Sequence, residues 1–478
     1  MASSIISFSY LANVLARRHR ASITAFLLKE KNSRSWLTDR GLFRLYRSFN
    51  ADRFVYVHLS SSQMEDRDRL FESLYPMLKT KRDVEDLQAD GVWFGDLLYD
   101  SYLMACRKPT IDLEDEDFRH ALRDALGYHV FWRDYLATGR VKAVILSHCV
   151  YYEYAVLLRH AVQRDIPVYQ SNASHVYHLS RERLWAYDDF YDYPERFAML
   201  SAEEQERGLW MAEERLQRRF SGEVGVDMHY STMSAYTRPN GQRIIPESPR
   251  IKILIATHCF FDSPHPYGVN LFPDFYEWLV FLGNISERTD YDWYIKTHPD
   301  FLPGNKEILG ELIRRYPKFT LIPSDSSHLQ LIQEGINFAL TVYGTIGFEY
   351  AALGVPVIHA SLCNPQIRYG FNIHPRTVQE YENILLNLHD QKLDIDIRQV
   401  LEYYYMAFLH NSDDWLFPDF RRFLQEVGGY YGQMGPESYR AFMESFTPER
   451  HKRIFEGLDE FVSSGEYRFH YSGNGELQ

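Results

Sequence analysis

The sequence predicts an α/β fold with two Rossmann-like domains that face a cleft, followed by C-terminal helices. Short apolar segments alternate with helix-prone segments in two regions of the 478-residue chain, which is typical of βαβ units in a parallel sheet. Between the regions, the stretch TRPNGQRIIPESPR at 237–250 is rich in Pro, Gly and polar residues and is typical of a linker. We therefore predict an N-terminal domain at 1–236, a C-terminal domain at 251–390, and a helical segment with a tail at 391–478, which suits the length.

The apolar and polar patterns place the individual elements of both domains. For the first domain, the predicted strands are 4–8, 22–28, 141–146 and 167–170, and the predicted helices are 11–18, 154–164 and 202–220. For the second domain, the predicted strands are 251–256, 293–296, 320–322, 338–342 and 356–360, and the predicted helices are 275–282, 305–316, 328–334 and 346–353.

Composition narrows the class of protein. Hydrophobic residues make up 45% and charged residues 24%, which indicates a globular chain rather than a disordered or fibrous one. The net charge of -13 argues against general nucleic-acid binding, because that binding depends on neutralising phosphates. The four cysteines have no metal-ligand spacing, and the arginines near the N-terminus follow the apolar run instead of preceding it as in a secretory signal. We therefore expect a cytoplasmic protein.

The N-terminal segment 1–53 is basic, with ten Lys or Arg against three Asp or Glu. One interpretation is an ordinary solvated face. The other is docking to an anionic membrane or to a lipid-diphosphate acceptor, since each basic residue near such a surface adds about 1 kcal/mol. The second interpretation predicts a peripheral contact with the inner face of the membrane.

The stretch YIKTHPD at 294–300 ends a predicted strand with polar residues. Lys296, His298 and Pro299 fall at the carboxyl end of that strand, where an open α/β sheet binds its ligands. A His–Pro turn after a strand also occurs without any ligand, so the string alone leaves both interpretations open.

The stretch TVYGTIGFEYAALGVPVI at 341–358 is the most informative one. After the strand, Gly344 permits a tight turn, and Thr345 is placed to cap the following helix through its hydroxyl. The N-terminus of a helix attracts a phosphate or diphosphate. Glu349 follows one turn later, where a carboxylate can accept hydrogen bonds from ribose hydroxyls. The alternative is ordinary packing of a strand against a helix.

In their order along the chain, HP, then LIPSDSSHLQLIQ, then YGTIGFEYAALGVPV, these motifs resemble the donor-binding domain of GT-B glycosyltransferases of capsule and lipopolysaccharide biosynthesis. The resemblance covers 251–360 specifically and 1–236 weakly. It implies that His298 contacts the donor phosphate, that Gly344 and Thr345 form an anion nest, and that Glu349 holds the ribose. Many relatives have two serines where this chain has Gly-Thr. The predicted donor-binding residues are His258, Lys296, Pro299, Pro323, Tyr343, Gly344, Thr345 and Glu349.

Candidate acid–base residues follow the first strand of the second domain, in ATHCFFDSPHPYGVNLFPDFYEWL. Asp262 is a candidate general base for an acceptor hydroxyl, and His258 or His265 can fill that role or bind phosphate. The alternative is Asp and His turn chemistry. With His298, Asp262 and His265 are the predicted catalytic residues.

In the first half, two predicted strands end in polar residues in the same way. Glu153, Asn172 and His175 are the candidates for binding the acceptor there, since GT-B enzymes usually bind the acceptor in that half.

Together, these expectations predict a metal-independent glycosyltransferase that needs no cofactor. It moves a sugar from a nucleotide-sugar donor to a hydroxyl of a glycan or lipid-linked glycan acceptor. No DxD stands in a suitable loop, so a helix dipole, Lys296 and His298 are expected to stabilise the leaving group. The alternatives are a nucleotide-sugar 2-epimerase, a CDP-polyol phosphotransferase, or a non-catalytic binding subunit that uses the basic N-terminal face.

Overall fold

The computed structural model describes most of the chain and has a mixed α/β fold. The described residues are 2–27, 35–228, 231, 233–236, 241–297 and 304–471. They form two compact units. Unit 1 comprises Met1–Leu98, Leu113–Tyr187 and Asn411–Gln478, and unit 2 comprises Tyr99–Asp112 and Asp188–His410. The domain boundaries inferred from the sequence stay predictions.

Strands and helices alternate along much of the chain. The strands are β1 Ile23–Leu27, β2 Ala51–Tyr56, β3 Gln88–Ala89, β4 Val92–Trp93, β5 Val144–Leu146, β6 Val168–Ser171, β7 Val176–Leu179, β8 Lys252–Ala256, β9 Asp292–Lys296, β10 Phe319–Leu321, β11 Phe338–Thr341 and β12 Val357–His359. The helices are α1 Ala2–His19, α2 Ser35–Ser48, α3 Ser61–Leu74, α4 Lys81–Glu85, α5 Gly95–Cys106, α6 Glu116–Ala137, α7 Tyr152–Gln163, α8 Tyr193–Met199, α9 Ala202–Phe220, α10 Phe275–Glu287, α11 Asn305–Arg315, α12 His328–Gln333, α13 Ile346–Ala352, α14 Val378–Leu386, α15 Ile397–Tyr404, α16 Phe420–Glu426, α17 Glu437–Glu444 and α18 Pro448–Ser464.

Unit 2 contains a five-stranded parallel sheet with the order β10-β9-β8-β11-β12. Its strands are continuous apolar runs because both faces are buried, as Ile253, Ile255 and Leu340 show with no exposed surface. The chain moves from β8 outward to β9 and β10, and then returns to add β11 on the other side of β8. This reversal leaves a crevice at the carboxyl ends of β8 and β11, where sheets of this kind bind ligands.

The elements predicted between 251 and 360 are confirmed. Every predicted strand and helix in this range is present, with ends displaced by a few residues. The helix predicted at 202–220 is also present as α9.

Unit 1 has smaller sheets. In its described part, β1 pairs with β2 in parallel, β3 with β4 antiparallel, and β5, β6 and β7 form a separate sheet. The strands predicted at 141–146 and 167–170 correspond to β5 and β6, and the helix predicted at 154–164 corresponds to α7. The strand predicted at 22–28 corresponds to β1, with residue 28 outside the described residues.

The strand predicted at 4–8 is wrong, because α1 covers the whole segment. Its buried residues Ile6, Tyr10, Leu11 and Val14 have helical spacing. They lie in one apolar cluster with side chains of α17 and α18, such as Phe442. Tertiary burial of one helix face therefore overrides the strand preference of the local sequence.

Among the described helices, none is both long enough and apolar enough to cross a membrane.

Candidate functional site

The crevice of unit 2 brings His258, which follows β8, against the end of β11. His258 Nε2 lies 3.1 Å from Thr341 Oγ1, and the Val342 N–H donates to the same nitrogen at 3.3 Å. Because Nε2 accepts from a backbone N–H, the neutral imidazole carries its proton on Nδ1. The ring stacks on Phe275 with centroids 4.6 Å apart. His258 therefore joins the two strands at the point where the sheet order reverses.

The turn after β11 differs from the sequence prediction in one respect. Thr345 does not cap α13 through its hydroxyl. Its backbone is already helical, with φ −60° and ψ −22°, whereas a capping Thr has an extended backbone that aims its oxygen at the first N–H groups. Gly344 is required for space, because a Cβ there would lie 2.8 Å from Thr341 Oγ1. The anion nest at Gly344 and Thr345 stays a prediction.

Tyr343 fixes the long loop that follows β8. Its hydroxyl donates to the Ser263 carbonyl at 2.8 Å, and its ring lies 4.6 Å from the His258 ring. The loop carrying Asp262 and His265 is thereby held next to the turn after β11. The predicted residues Asp262, His265 and Tyr343 therefore lie at the same edge of the sheet.

His265 forms a buried pair with a carboxylate that the sequence analysis did not identify. His265 Nδ1 lies 2.6 Å from Asp100 Oδ1, and both residues are 1% exposed. The Ser263 hydroxyl donates to the other carboxylate oxygen. Burial raises the pKa of Asp100, and the neighbouring imidazole opposes that shift. A carboxylate on Nδ1 fixes the tautomer and the ring orientation of a histidine.

Asp100 lies on α5, far from His265 in sequence. Most of that helix is apolar and buried, including Leu98, Tyr102 and Leu103. A carboxylate in such a segment is the only sequence signal that marks Asp100, because buried charges in proteins are paired.

A second carboxylate anchors the same part of the chain. Asp274 Oδ2 accepts hydrogen bonds from the hydroxyls of Tyr99 and Thr110, each at 2.6 Å. Asp274 Oδ1 accepts from the Glu277 N–H at 2.7 Å and caps α10. Thus Asp274 holds α5 structurally, beside the pair formed by Asp100 and His265.

Asp262 lies on the loop after β8 and is exposed to solvent. Its Oδ1 accepts from the Ser263 N–H at 2.8 Å. The protein around the carboxyl group nevertheless removes enough water to raise its pKa. An accessible carboxylate with a raised pKa can accept a proton from a substrate hydroxyl.

Lys296 ends β9 with its ammonium group buried. It is 2% exposed, and Nζ donates to the Ser324 carbonyl at 2.8 Å. Burial lowers the pKa of Lys296 to about 8, although the nearby carboxylates of Asp325 and Glu349 favour the charged form.

The loop after β10 contains buried hydroxyls without partners. Pro323 is exposed and accepts from the Ser326 N–H at 3.1 Å. The hydroxyls of Ser326 and Ser327 are buried, and within the described ranges of the chain neither has a hydrogen-bond partner. Buried polar atoms are nearly always paired, so such groups indicate a ligand or water. From this Ser-rich segment, only Pro323 was among the predicted donor-binding residues.

Glu349 is held by two side chains of unit 2. It is 4% exposed. Arg219 Nε donates to Oε1 at 2.9 Å, and the Tyr236 hydroxyl donates to Oε2 at 2.7 Å. Both carboxylate oxygens therefore already accept hydrogen bonds within the protein. Ribose binding by Glu349 stays a prediction.

The predicted residues His298 and Pro299 lie outside the described residues. In unit 1, Asn172 and His175 form the turn between β6 and β7, which pair antiparallel. The Asn172 N–H donates to the His175 carbonyl at 2.9 Å, and Asn172 Nδ2 lies 2.9 Å from His175 Nε2. Glu153 lies in the first turn of α7 and is half-buried. Acceptor binding by these three residues stays a prediction.

No group of three His, Cys, Asp or Glu side chains is arranged to hold a metal ion in the part of the chain that the structure describes.

The protein has low similarity in sequence and structure to known proteins. No model of a protein family matches the sequence, and no curated protein matches it. One similar solved structure is KpsC of Thermosulfurimonas dismutans, a beta Kdo 2,4 transferase, with 13% identity over 52% of this chain and 74% of that chain and a TM-score of 0.31. Another is the UDP-GlcNAc 2-epimerase of Neisseria meningitidis bound to UDP-GlcNAc, with 9% identity over 86% of this chain and 98% of that chain and a TM-score of 0.22. At these TM-scores the likeness carries no argument about activity.

Proposed function

We propose that unit 2 binds a nucleotide-sugar at the carboxyl edge of its sheet and that the protein is a glycosyltransferase acting on a surface glycan or glycolipid. The observation that carries this proposal is the pair of buried, unpartnered hydroxyls of Ser326 and Ser327. They belong to the loop whose Ser324 carbonyl accepts from Lys296. Hydroxyls and an ammonium group together suit the oxygens of a phosphate.

The position of these groups also supports the proposal. They follow β9 and β10, while Tyr343 and Gly344 follow β11, on the other side of β8. A sheet of this order places a nucleotide in the crevice between the two halves. The motif resemblance assigns the same edge to the donor phosphates.

In the proposed reaction, a base accepts the proton of the acceptor hydroxyl. The acceptor oxygen forms a bond to the anomeric carbon of the sugar, and the bond from that carbon to the phosphate oxygen breaks. The nucleotide leaves with the electron pair. Positive charge at Lys296 stabilises the negative charge that develops on the phosphate.

Two groups of the loop after β8 suit the role of base. Asp262 is accessible with a raised pKa, and His265 is oriented by Asp100. We assign the proton transfer to His265, because its partner fixes the tautomer, and an acceptor-orienting contact to Asp262.

Nucleotide binding is tested by thermal shift with CMP, CDP, UDP and GDP. A ligand at 100 times its Kd adds about 2.7 kcal/mol to the free energy of unfolding. The double variant Ser326→Ala and Ser327→Ala is expected to lose most of that shift without unfolding, since it removes hydroxyls that bond to nothing in the described protein. Ser324→Ala is the matched control, because that exposed residue contributes its carbonyl. The absence of any shift with all four nucleotides would refute the proposal.

The reaction products distinguish a glycosyltransferase from an epimerase. A transferase releases the nucleotide faster when a hydroxyl acceptor is present and forms a glycoside, whereas an epimerase turns over without an acceptor. We expect glycoside formation to continue in EDTA, because Lys296 supplies positive charge. Loss in EDTA with recovery by Mg²⁺ would show that a metal ion stabilises the leaving group instead.

A further inference from the structure

Unit 1 contains a large cavity, and all of its described lining residues belong to unit 1. Its volume is about 1090 Å³, slightly above the range of roughly 300–1,000 Å³ that is usual for small-molecule pockets. The strands β1 and β2 line one part of it and β5 lines another, with α1 forming a further wall. β1 pairs only with β2, and β5 only with β6, among the described strands. The cavity therefore lies where the two sheets of unit 1 are not joined.

The wall of the cavity is mainly apolar. The apolar lining residues include Ile5, Phe8, Leu15, Phe26, Trp132 and Ile145. Phe26 packs edge-on against Trp132, with ring centroids 5.3 Å apart. An apolar wall suits a hydrocarbon chain, because contact with the wall removes the apolar surface of the chain from water.

The charged residues in the described lining of the cavity all have the same sign. Arg20, Arg53, Arg140 and Lys142 belong to the lining and are exposed to solvent. None of the described lining residues is Asp or Glu, although the whole protein has a net charge of -13. A described lining with cations and no carboxylates favours anions, because its charges attract them.

The basic residues of the N-terminal segment have two different environments. Arg18 bonds to Ser463 and lies 3.6 Å from Asp459 of α18. Arg20 and Arg53 instead line the cavity, together with two cations that the sequence places far away, Arg140 and Lys142. The charge that the sequence analysis assigned to membrane docking is thus partly concentrated at the cavity.

We propose that this cavity binds a lipid phosphate, with the hydrocarbon chain inside and the phosphate among Arg20, Arg53, Arg140 and Lys142. Under the proposed function, the lipid would be the anchor of a lipid-linked acceptor. This use rests on the proposed function, but lipid binding does not. An extended peptide paired to the open edges of β1 and β5 would need no anionic group, so the charge favours the lipid phosphate.

The test is calorimetric titration of the full chain, without nucleotide, by three probes at submicellar concentration. Dodecyl phosphate is expected to bind at least about tenfold more tightly than dodecyl maltoside, because each buried methylene favours both but the cations favour only the first. Inorganic phosphate is expected to bind weakly, because it lacks the chain. Equal affinity of dodecyl phosphate and dodecyl maltoside, or of dodecyl phosphate and inorganic phosphate, would overturn the proposal.

Variants locate the binding. The double variant Arg53→Ser and Arg140→Ser is expected to weaken dodecyl phosphate about tenfold and to leave dodecyl maltoside unchanged. The matched control, Lys452→Ser and Arg453→Ser, removes two exposed charges of α18 and should change neither. Ala16→Phe, which fills the cavity wall, should weaken both amphiphiles, and its melting temperature confirms folding. The proposal would be overturned if neither the Arg53 and Arg140 double variant nor Ala16→Phe changed the binding of dodecyl phosphate. This outcome does not depend on the nucleotide screen.

Discussion

His265 Nδ1 lies 2.6 Å from Asp100 Oδ1, although 165 positions separate the two residues in the sequence. Both side chains are 1% exposed. The carboxylate fixes the ring orientation and keeps the neutral imidazole protonated on Nδ1. If His265 transfers a proton as proposed, this arrangement assigns the transfer to Nε2.

Replacing Asp100 with Asn should leave His265 in place but prevent it from acting as the base. An amide at this position can donate to Nδ1 and thereby stabilise the wrong tautomer. We expect kcat to fall about 10²–10⁴-fold, the range attributed to general acid–base catalysis, while nucleotide binding stays near the wild-type value. The measurement is kcat and KM for transfer, together with the pH profile.

Tyr99→Phe is the control for this variant. Tyr99 neighbours Asp100 on α5 and donates to Asp274, so its loss weakens the anchoring of the same helix. We expect lower stability with kcat close to wild type. If Tyr99→Phe and Asp100→Asn reduced kcat equally, the role of Asp100 would be structural.

Glu349 and Arg219 form a buried pair whose disruption should cost stability. Their side chains are 5% and 14% exposed. Removing one partner of a buried pair leaves the other charge unpaired, which costs about 3–5 kcal/mol. We expect Glu349→Ala to lower the free energy of unfolding by that amount in urea denaturation. Arg218→Ala breaks an exposed pair with Glu223 and should cost less than about 1 kcal/mol.

A second variant of the same residue, Glu349→Gln, tests the ribose prediction. If Glu349 also holds the ribose, Glu349→Gln should raise the KM for the donor while it keeps the hydrogen bond from Tyr236. An unchanged donor KM in a folded Glu349→Gln protein would limit Glu349 to its structural role.

The sequence was sufficient for the elements that bear the candidate site. The strands β8 to β12 are apolar runs bounded by polar or Gly and Pro residues, and these local signals do not depend on the rest of the fold. The positions of Lys296, Tyr343 and Gly344 at strand ends followed from the same pattern.

Relationships between distant residues could not be predicted in this way. Asp100 acquires its role only from contact with His265, and Glu349 only from contact with Arg219 and Tyr236. The strand preference of 4–8 was overridden because α1 buries one face against α17 and α18. The capping role of Thr345 failed because its backbone is helical.

Lys296 gives a prediction about pH. Its pKa is lowered to about 8 by burial, so the charged fraction falls as the pH rises through that value. If the charge stabilises the leaving group, kcat/KM should fall on the alkaline side with a midpoint near pH 8. Lys296→Met should be slow at every pH, by roughly 10²–10³-fold, and should lack this alkaline limb. A wild-type limb that survives in Lys296→Met would assign the titration to another group.

His298 lies two residues after Lys296 in the sequence. If His298 stabilises charge on the departing nucleotide, its loss should act on the transition state more than on donor binding. One such contact is worth about 2.7–4 kcal/mol, or roughly 10²–10³ in rate. His298→Ala should therefore lower kcat by that factor with a modest rise in donor KM. Pro299→Ala, which removes no donor, should have a smaller effect. If His298 has only a structural role, His298→Ala should instead lower the melting temperature and leave the folded enzyme active. The melting temperature and kcat are therefore measured on one preparation. Full kcat in folded His298→Ala protein would exclude the assignment.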